Sequence, residues 1–188
     1  ANINDAVSML INENNDKIES IRKNEDMLNK LNKNITAYLT KLMGKDLSEE
    51  DDKKVGSYYH VVSDIERVGD YAENVMEYAM RLKEEALVLS DDAKAELTNL
   101  LDKVNLLYQY SFTAFDDRNV TLLQEVEKAE EEVDEYTKHL QDRHIERLKA
   151  GECTAQAGSV FLQTISNLER VGDHINNVGK SIRQYRYV

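Results

Sequence analysis

The chain has 188 residues, of which 41% are hydrophobic and 32% charged, and it carries a net charge of −12 with a pI near 4.8. That balance excludes a nucleic-acid-binding domain built on a basic stripe and favours multivalent cations or a basic partner surface. The single cysteine, Cys153, excludes an internal disulfide and a thiolate metal cage, and fits a reducing compartment.

Proline and tryptophan are absent and glycines number only 7, so turn signals for a sheet are scarce and long helices are expected. The fold class read from this is all-α. No apolar run approaches the roughly 20 residues that span a bilayer; the longest is Ala86 to Leu89. The N-terminus lacks a basic-then-apolar signal pattern. A soluble, cytoplasmic chain is expected, which leaves room for its being a piece of a larger membrane protein.

In chain order, Ile3, Ala6, Val7 and Leu10 mark a short apolar-spaced helix. From Ile18 a long helix follows, with Ile21, Leu28, Leu31, Ile35, Leu39 and Leu42 or Met43 as its core stripe and Gly44 as its stop. Ser48, with Asp51 three residues on, is a capping signal for a helix from about Glu49 to Leu87. Its stripe is Val55, Tyr58 or Tyr59, Val62, Ile65, Val68, Ala72, Val75, Ala79 and Leu82. Ser90 caps the next helix, which runs to about Phe115 with Leu97, Leu100, Leu101, Val104, Leu107 and Tyr108 inward. After a turn at Asp116 to Asn119, Leu122, Val126, Val133, Tyr136, Leu140, Ile145 and Leu148 spell another helix, stopped by Gly151. Thr154 caps the last, which carries Val160, Phe161, Ile165, Leu168, Val171, Ile175, Val178 and Ile182. The tyrosines on these stripes and in the C-terminal tail are read as packing residues.

One stretch occurs twice. Ser63 to Ala79 and Ser166 to Ile182 match at eight of seventeen positions without a gap, at a shift of 103. Both contain Glu-Arg-Val-Gly-Asp, as Glu66 to Asp70 and Glu169 to Asp173. The repeat extends beyond the motif: at a shift of 105, Ile21, Leu28, Leu31 and Ile35 match Val126, Val133, Tyr136 and Leu140. Two tandem antiparallel three-helix bundles follow, one in residues 1–89 and one in 90–188, the first lacking most of its leading helix.

At about 100° per residue, Ile65, Val68, Ala72, Val75 and Ala79 share one apolar sector, and Glu66, Arg67 and Asp70 fall outside it. The pair Glu169 and Asp173 is placed in the same way. Like charges four residues apart repel by a few tenths of a kcal/mol, and the chain accepts this twice. Glu130 and Asp134 form a third such pair on the preceding helix, at the border of its stripe; Glu25 holds the matching place in the first half, followed by Asn29 instead of an acid. Carboxylates converging from two helices make a hard, oxygen-rich site for a divalent or trivalent cation. Asn74 and Asn177, one turn beyond each Asp, could add an amide oxygen. The structural alternative is that Arg67 and Arg170 pair with neighbouring helices while Gly69 and Gly172 allow close packing.

His60, His139, His144 and His174 form no His-Glu-x-x-His or Glu-x-x-His pattern, although His174 adjoins Asp173. No phosphate loop, nucleophile elbow or base–nucleophile pair is legible, so no catalytic residue is expected.

A repeated three-helix unit with Glu-Arg-hydrophobic-Gly-Asp on its last helix resembles the PhoU family of phosphate-signalling proteins, over nearly the whole chain. The resemblance implies a regulatory metalloprotein rather than an enzyme. It implies iron, zinc or magnesium-type ions held by Glu66, Asp70, Glu169, Asp173, Glu130, Asp134 and Glu25, with Asn29 weakening the first-half site. Related domains also occur as the cytoplasmic C-terminal part of bacterial sodium/phosphate cotransporters, which the short leading helix resembles. The partner so implied is a membrane phosphate transporter, in cis or in trans, or a signalling protein at the inner face of the cell membrane. An apolar groove left by the short helix would also suit a homodimer.

Overall fold

A computed structural model describes residues 1–183; the tail tyrosines Tyr185 and Tyr187 lie outside them. Six α-helices follow in order: α1 (Asn2–Asn12), α2 (Ile18–Met43), α3 (Glu49–Glu84), α4 (Asp91–Asp117), α5 (Leu123–Ala150) and α6 (Ala155–Lys180), with a short 3-10 turn at Val120–Leu122. There is no strand among the described residues.

The ends of these helices are chemically marked. The hydroxyls of Ser48, Ser90 and Thr154 accept from the backbone N–H groups of Asp51, Ala93 and Ala157 at 3.1–3.2 Å, satisfying donors that the first turn otherwise leaves unpaired. Gly151 closes α5 with φ of 72°, the left-handed conformation that a side chain resists. Gly44 also ends α2, but with φ of −79°, so that stop does not use glycine's conformational freedom.

At the centre, α3 and α6 cross antiparallel. The order of their contacts shows it: Ser57 donates to the Ser181 carbonyl, Asn177 to Asp64, and Asn74 to Asn167. The last two bonds are one bond seen twice, since Asp64 and Asn74 become Asn167 and Asn177 at the repeat shift. The two halves are thus related by an approximate two-fold axis through the middle of α3 and α6. Tyr71 and His174, also equivalent positions, stack near it with centroids 5.7 Å apart.

Around this pair, α4 packs on both α5 and α6, whereas α1 lies on α3 and scarcely meets α2. One continuous apolar core runs from Ile3 to Ile182 through both halves. Several residues expected in it are not. Leu31, Ile35 and Met43 are exposed on α2, as are Tyr108 on α4 and Ile145 and Leu148 on α5. For α2 the cause is architectural. Its far half and the first turns of α3 reach beyond α1, so among the described residues no third helix lies against their apolar seam.

Candidate functional site

Each half places carboxylates in the seam between its last two helices, and a glycine decides how close those helices come. A Cβ on Gly69 would lie 2.4 Å from Glu25 Oε2 and from Leu28 Cδ2. On Gly172 it would meet Val133 Cγ1 at 3.2 Å, and Val133 is the repeat equivalent of Leu28. The glycine of each Glu-Arg-Val-Gly-Asp therefore lets the preceding helix approach, as the packing reading expects. It also draws that helix's acid towards the motif.

In the first half this puts Glu25 in an unusual position. It is 4% exposed, and neither carboxylate oxygen has a hydrogen-bond partner. Burial, and then the charges of Asp70, Glu73 and Glu66, push its pKa up to about 7, while the Asn29 side chain acts weakly the other way. A buried carboxylate facing three more carboxylates is a costly arrangement unless something neutralises it. Glu73 was not among the expected residues. Its spacing gives it away, because Glu66, Asp70 and Glu73 are the i, i+4 and i+7 positions of one helix face. The equivalent of Glu73 in the second half is Asn176, buried with its Oδ1 unpartnered.

The second half assembles Glu130 and Asp134 from α5 with Glu169 and Asp173 from α6. Burial first, then Glu130 and Asp173, raise the pKa of Asp134, with Lys180 opposing. Burial, then Asp173 and Asp134, raise that of Glu169, with Arg170 opposing. Asp134 and Asp173 are exposed, and Glu130 and Glu169 half-buried. The first cluster is the more deeply set, and with Glu73 it is no poorer in acids than the second.

Other expected participants are engaged elsewhere. Arg67 bonds Asp70 of its own helix at 3.0 Å, not a neighbouring helix. Arg170 does reach across, lying over the Tyr71 ring. The amides of Asn74 and Asn177 tie α3 to α6. His174 Nδ1 is 2.8 Å from Asp64 Oδ1, a contact that orients the ring. His144 is buried under Phe161 and against Gly158. Among the described residues, no three acidic, imidazole or thiolate groups already converge at coordinating distance.

A family model for the PhoU domain matches residues 1–79 and 97–182, one match to each half of the repeat. The chain belongs to the PhoU family. It is 25% identical over 181 residues to a protein of Thermotoga maritima named phosphate-specific transport system accessory protein PhoU homolog 1, covering 96% of this chain and 77% of that one. A Clostridium acetobutylicum protein named a phosphate-specific transport system accessory protein PhoU homolog is 26% identical, with 95% and 81% covered. The crystal structure of PhoU from Pseudomonas aeruginosa superposes with a TM-score of 0.88 over 96% of this chain and 86% of that one, at 24% identity. The regulatory protein PhoU from Streptococcus pneumoniae gives 0.84 over 99% and 86%, at 20% identity. At such identities these structures establish the PhoU fold for the chain. No helix among the described residues is long and apolar enough to cross a membrane.

Proposed function

We propose that this PhoU-family chain is a regulatory, metal-binding domain that controls phosphate uptake or signalling, acting as the cytoplasmic part of a sodium/phosphate cotransporter at the inner face of the membrane. Support for the phosphate role comes from the relatives, named as accessory proteins of phosphate-specific transport. Support for the metal comes from Glu25, whose buried carboxylate faces the charges of three further carboxylates, with only the Asn29 side chain offsetting them. Crowded hard oxygen donors of this kind fit a magnesium-type or iron cation better than they fit one another's company. Glu25, Glu66, Asp70 and Glu73 would hold one ion, and Glu130, Asp134, Glu169 and Asp173 a second. A bound ion supplies positive charge that lets each cluster close. The chain's own part is to hold the acids on two helices, so that loading changes how tightly those helices pair. We read it as a regulator without catalysis, its ligand sets lacking a paired base and nucleophile.

Two observations favour a metal-free helical adaptor instead: Arg67 already occupies Asp70, and among the described residues the acids do not yet converge. The two readings separate on unfolding with and without metal. An ion at about 100 times its Kd stabilises the folded state by about 2.7 kcal/mol, or about 5–10 °C in a chain of this length. The Asp70→Asn/Asp173→Asn double variant should lose that shift. Midpoints that respond equally to metal in both proteins, or in neither, leave the adaptor.

A further inference from the structure

The turn between α5 and α6 gathers polar groups that the packing of the repeat does not require. At the shift of 105, His144 and Arg147 correspond to Leu39 and Leu42, and at 103 Gly158 corresponds to Val55. The first half fills this place with aliphatic side chains, of which Leu39 and Val55 are buried. The second half puts an imidazole, a guanidinium and a missing side chain there. Between them lies a pocket of about 40 Å³, walled by His144, Arg147, Cys153 and Gly158. A single water takes about 10–15 Å³, so a molecule of two heavy atoms fits.

His144 is the member with an unmet demand. It is 2% exposed, and among the described residues its Nε2 finds no hydrogen-bond partner. A Cβ on Gly158 would lie 2.4 Å from Cε1 and 2.7 Å from Nε2, but 3.7 Å from Nδ1. The Nε2 edge therefore points at the Gly158 wall of the pocket. Burial first, and then the charge of Arg147, lower the pKa of His144, with Glu96 opposing. The ring is thus neutral at pH 7, and with its proton on Nδ1 it offers Nε2 as an acceptor.

Cys153 supplies the matching donor. It is half-buried and directly precedes Thr154, the N-cap of α6. It also lies within charge reach of Arg147, on which it acts more strongly than Asp92 does. A helix N-terminus and a guanidinium both favour a thiolate over a thiol. Glu96 holds Arg147 and Arg143 in place, and Glu152 at the pocket is exposed and screened by water. His144 and Cys153 stand on either side of Gly151, so no spacing within one helix pairs them.

We propose that Cys153 is a peroxide-reactive thiol, modified in a pocket that admits hydrogen peroxide and excludes bulkier hydroperoxides. The Cys153 S–H passes its proton to His144 Nε2 as Sγ attacks one peroxide oxygen. An S–O bond forms, the O–O bond breaks, and the leaving hydroxide takes the proton back from His144. Thiol and peroxide become sulfenic acid and water, the sulfur oxidised and the peroxide reduced. Arg147 stabilises the negative charge that builds on the departing oxygen. The reaction is stoichiometric, so it marks the chain rather than turning over a substrate. A metal ion fits the pair less well, because among the described residues no third acidic, imidazole or thiolate ligand joins them.

The test treats the full chain with hydrogen peroxide at pH 7, quenches with catalase, and counts the remaining thiol by denaturing alkylation and mass spectrometry. Cys153 is the sole cysteine, so the count reads one site; dimedone trapping identifies the sulfenic acid. The folded chain should react at least about tenfold faster than the urea-unfolded chain, a modest part of what a placed proton shuttle supplies. Cumene hydroperoxide, too large for the pocket, should show no such advantage. His144→Leu installs the first-half residue and, checked for helicity, should bring the folded rate close to the unfolded one. Equal rates for folded and unfolded wild type overturn the proposal, as does an equal advantage for both peroxides or an unchanged rate in His144→Leu. If that variant does not fold, the comparison of the two peroxides on wild type decides alone.

Discussion

Replacing Glu25 by Gln keeps the side chain's size beside Gly69 and removes only its ability to ionise. Its pKa moves from 4.5 to about 7 on folding, so the folded state binds the proton more tightly than the unfolded chain does. For an acid shifted upward, the penalty is absent below pH 4.5, grows as pH rises towards 7 and is complete above it. Each pKa unit corresponds to about 1.4 kcal/mol. The side chain is buried, but the acids it faces are half-open to solvent, so we expect about 2 kcal/mol between pH 5 and pH 8. Urea unfolding in chelator at both pH values reads this directly. Relative to wild type, Glu25→Gln should gain about 2 kcal/mol in stability on going from pH 5 to pH 8. Any fixed cost of burying an amide cancels in that difference, as do the similar shifts of Asp134 and Glu169. An advantage that is the same at both pH values, or that shrinks as pH rises, would refute the electrostatic account of the first cluster.

Two further expectations concern packing. A Cβ at Gly158 would sit 2.4 Å from the His144 ring, which Phe161 holds from behind, so Gly158→Ala should cost about 2 kcal/mol or more. At Gly56, within α3, nothing lies within 4 Å, and Gly56→Ala should stabilise by about 0.5–1 kcal/mol; thermal unfolding of the pair checks both signs. Arg147→Met leaves Glu96 buried with only the half-exposed Arg143 for company and should cost about 3 kcal/mol, most of it regained in Glu96→Leu/Arg147→Met. Equal instability of the single and double variants would show that packing, not the stranded charge, sets the cost.

Much of the architecture is written locally. Ser48, Ser90, Thr154 and Gly151 mark helix ends because capping is a matter of a few adjacent atoms, and the doubled Glu-Arg-Val-Gly-Asp announces the two-fold relation of α3 and α6. What a stripe cannot announce is its cover. Leu31, Ile35 and Met43 read as core because their spacing is that of a buried face, and they stay exposed because α1 does not reach them. The burial of Glu25 was hidden for the opposite reason. It lies four residues after Ile21 and therefore on the inward face, but an acid there reads as solvated until Gly69 is seen to make room for it. The buried set of Glu96, Arg147 and His144 joins α4 to α5, a pairing that no spacing within one helix displays.

The most direct test of the metal-binding account is the metal content of the chain purified without chelator or nickel resin, measured by plasma mass spectrometry beside the Asp70→Asn/Asp173→Asn variant. Near-stoichiometric iron, zinc or a similar ion in the wild type, lost in the variant, is the predicted result. Substoichiometric metal that the two substitutions leave unchanged would contradict it.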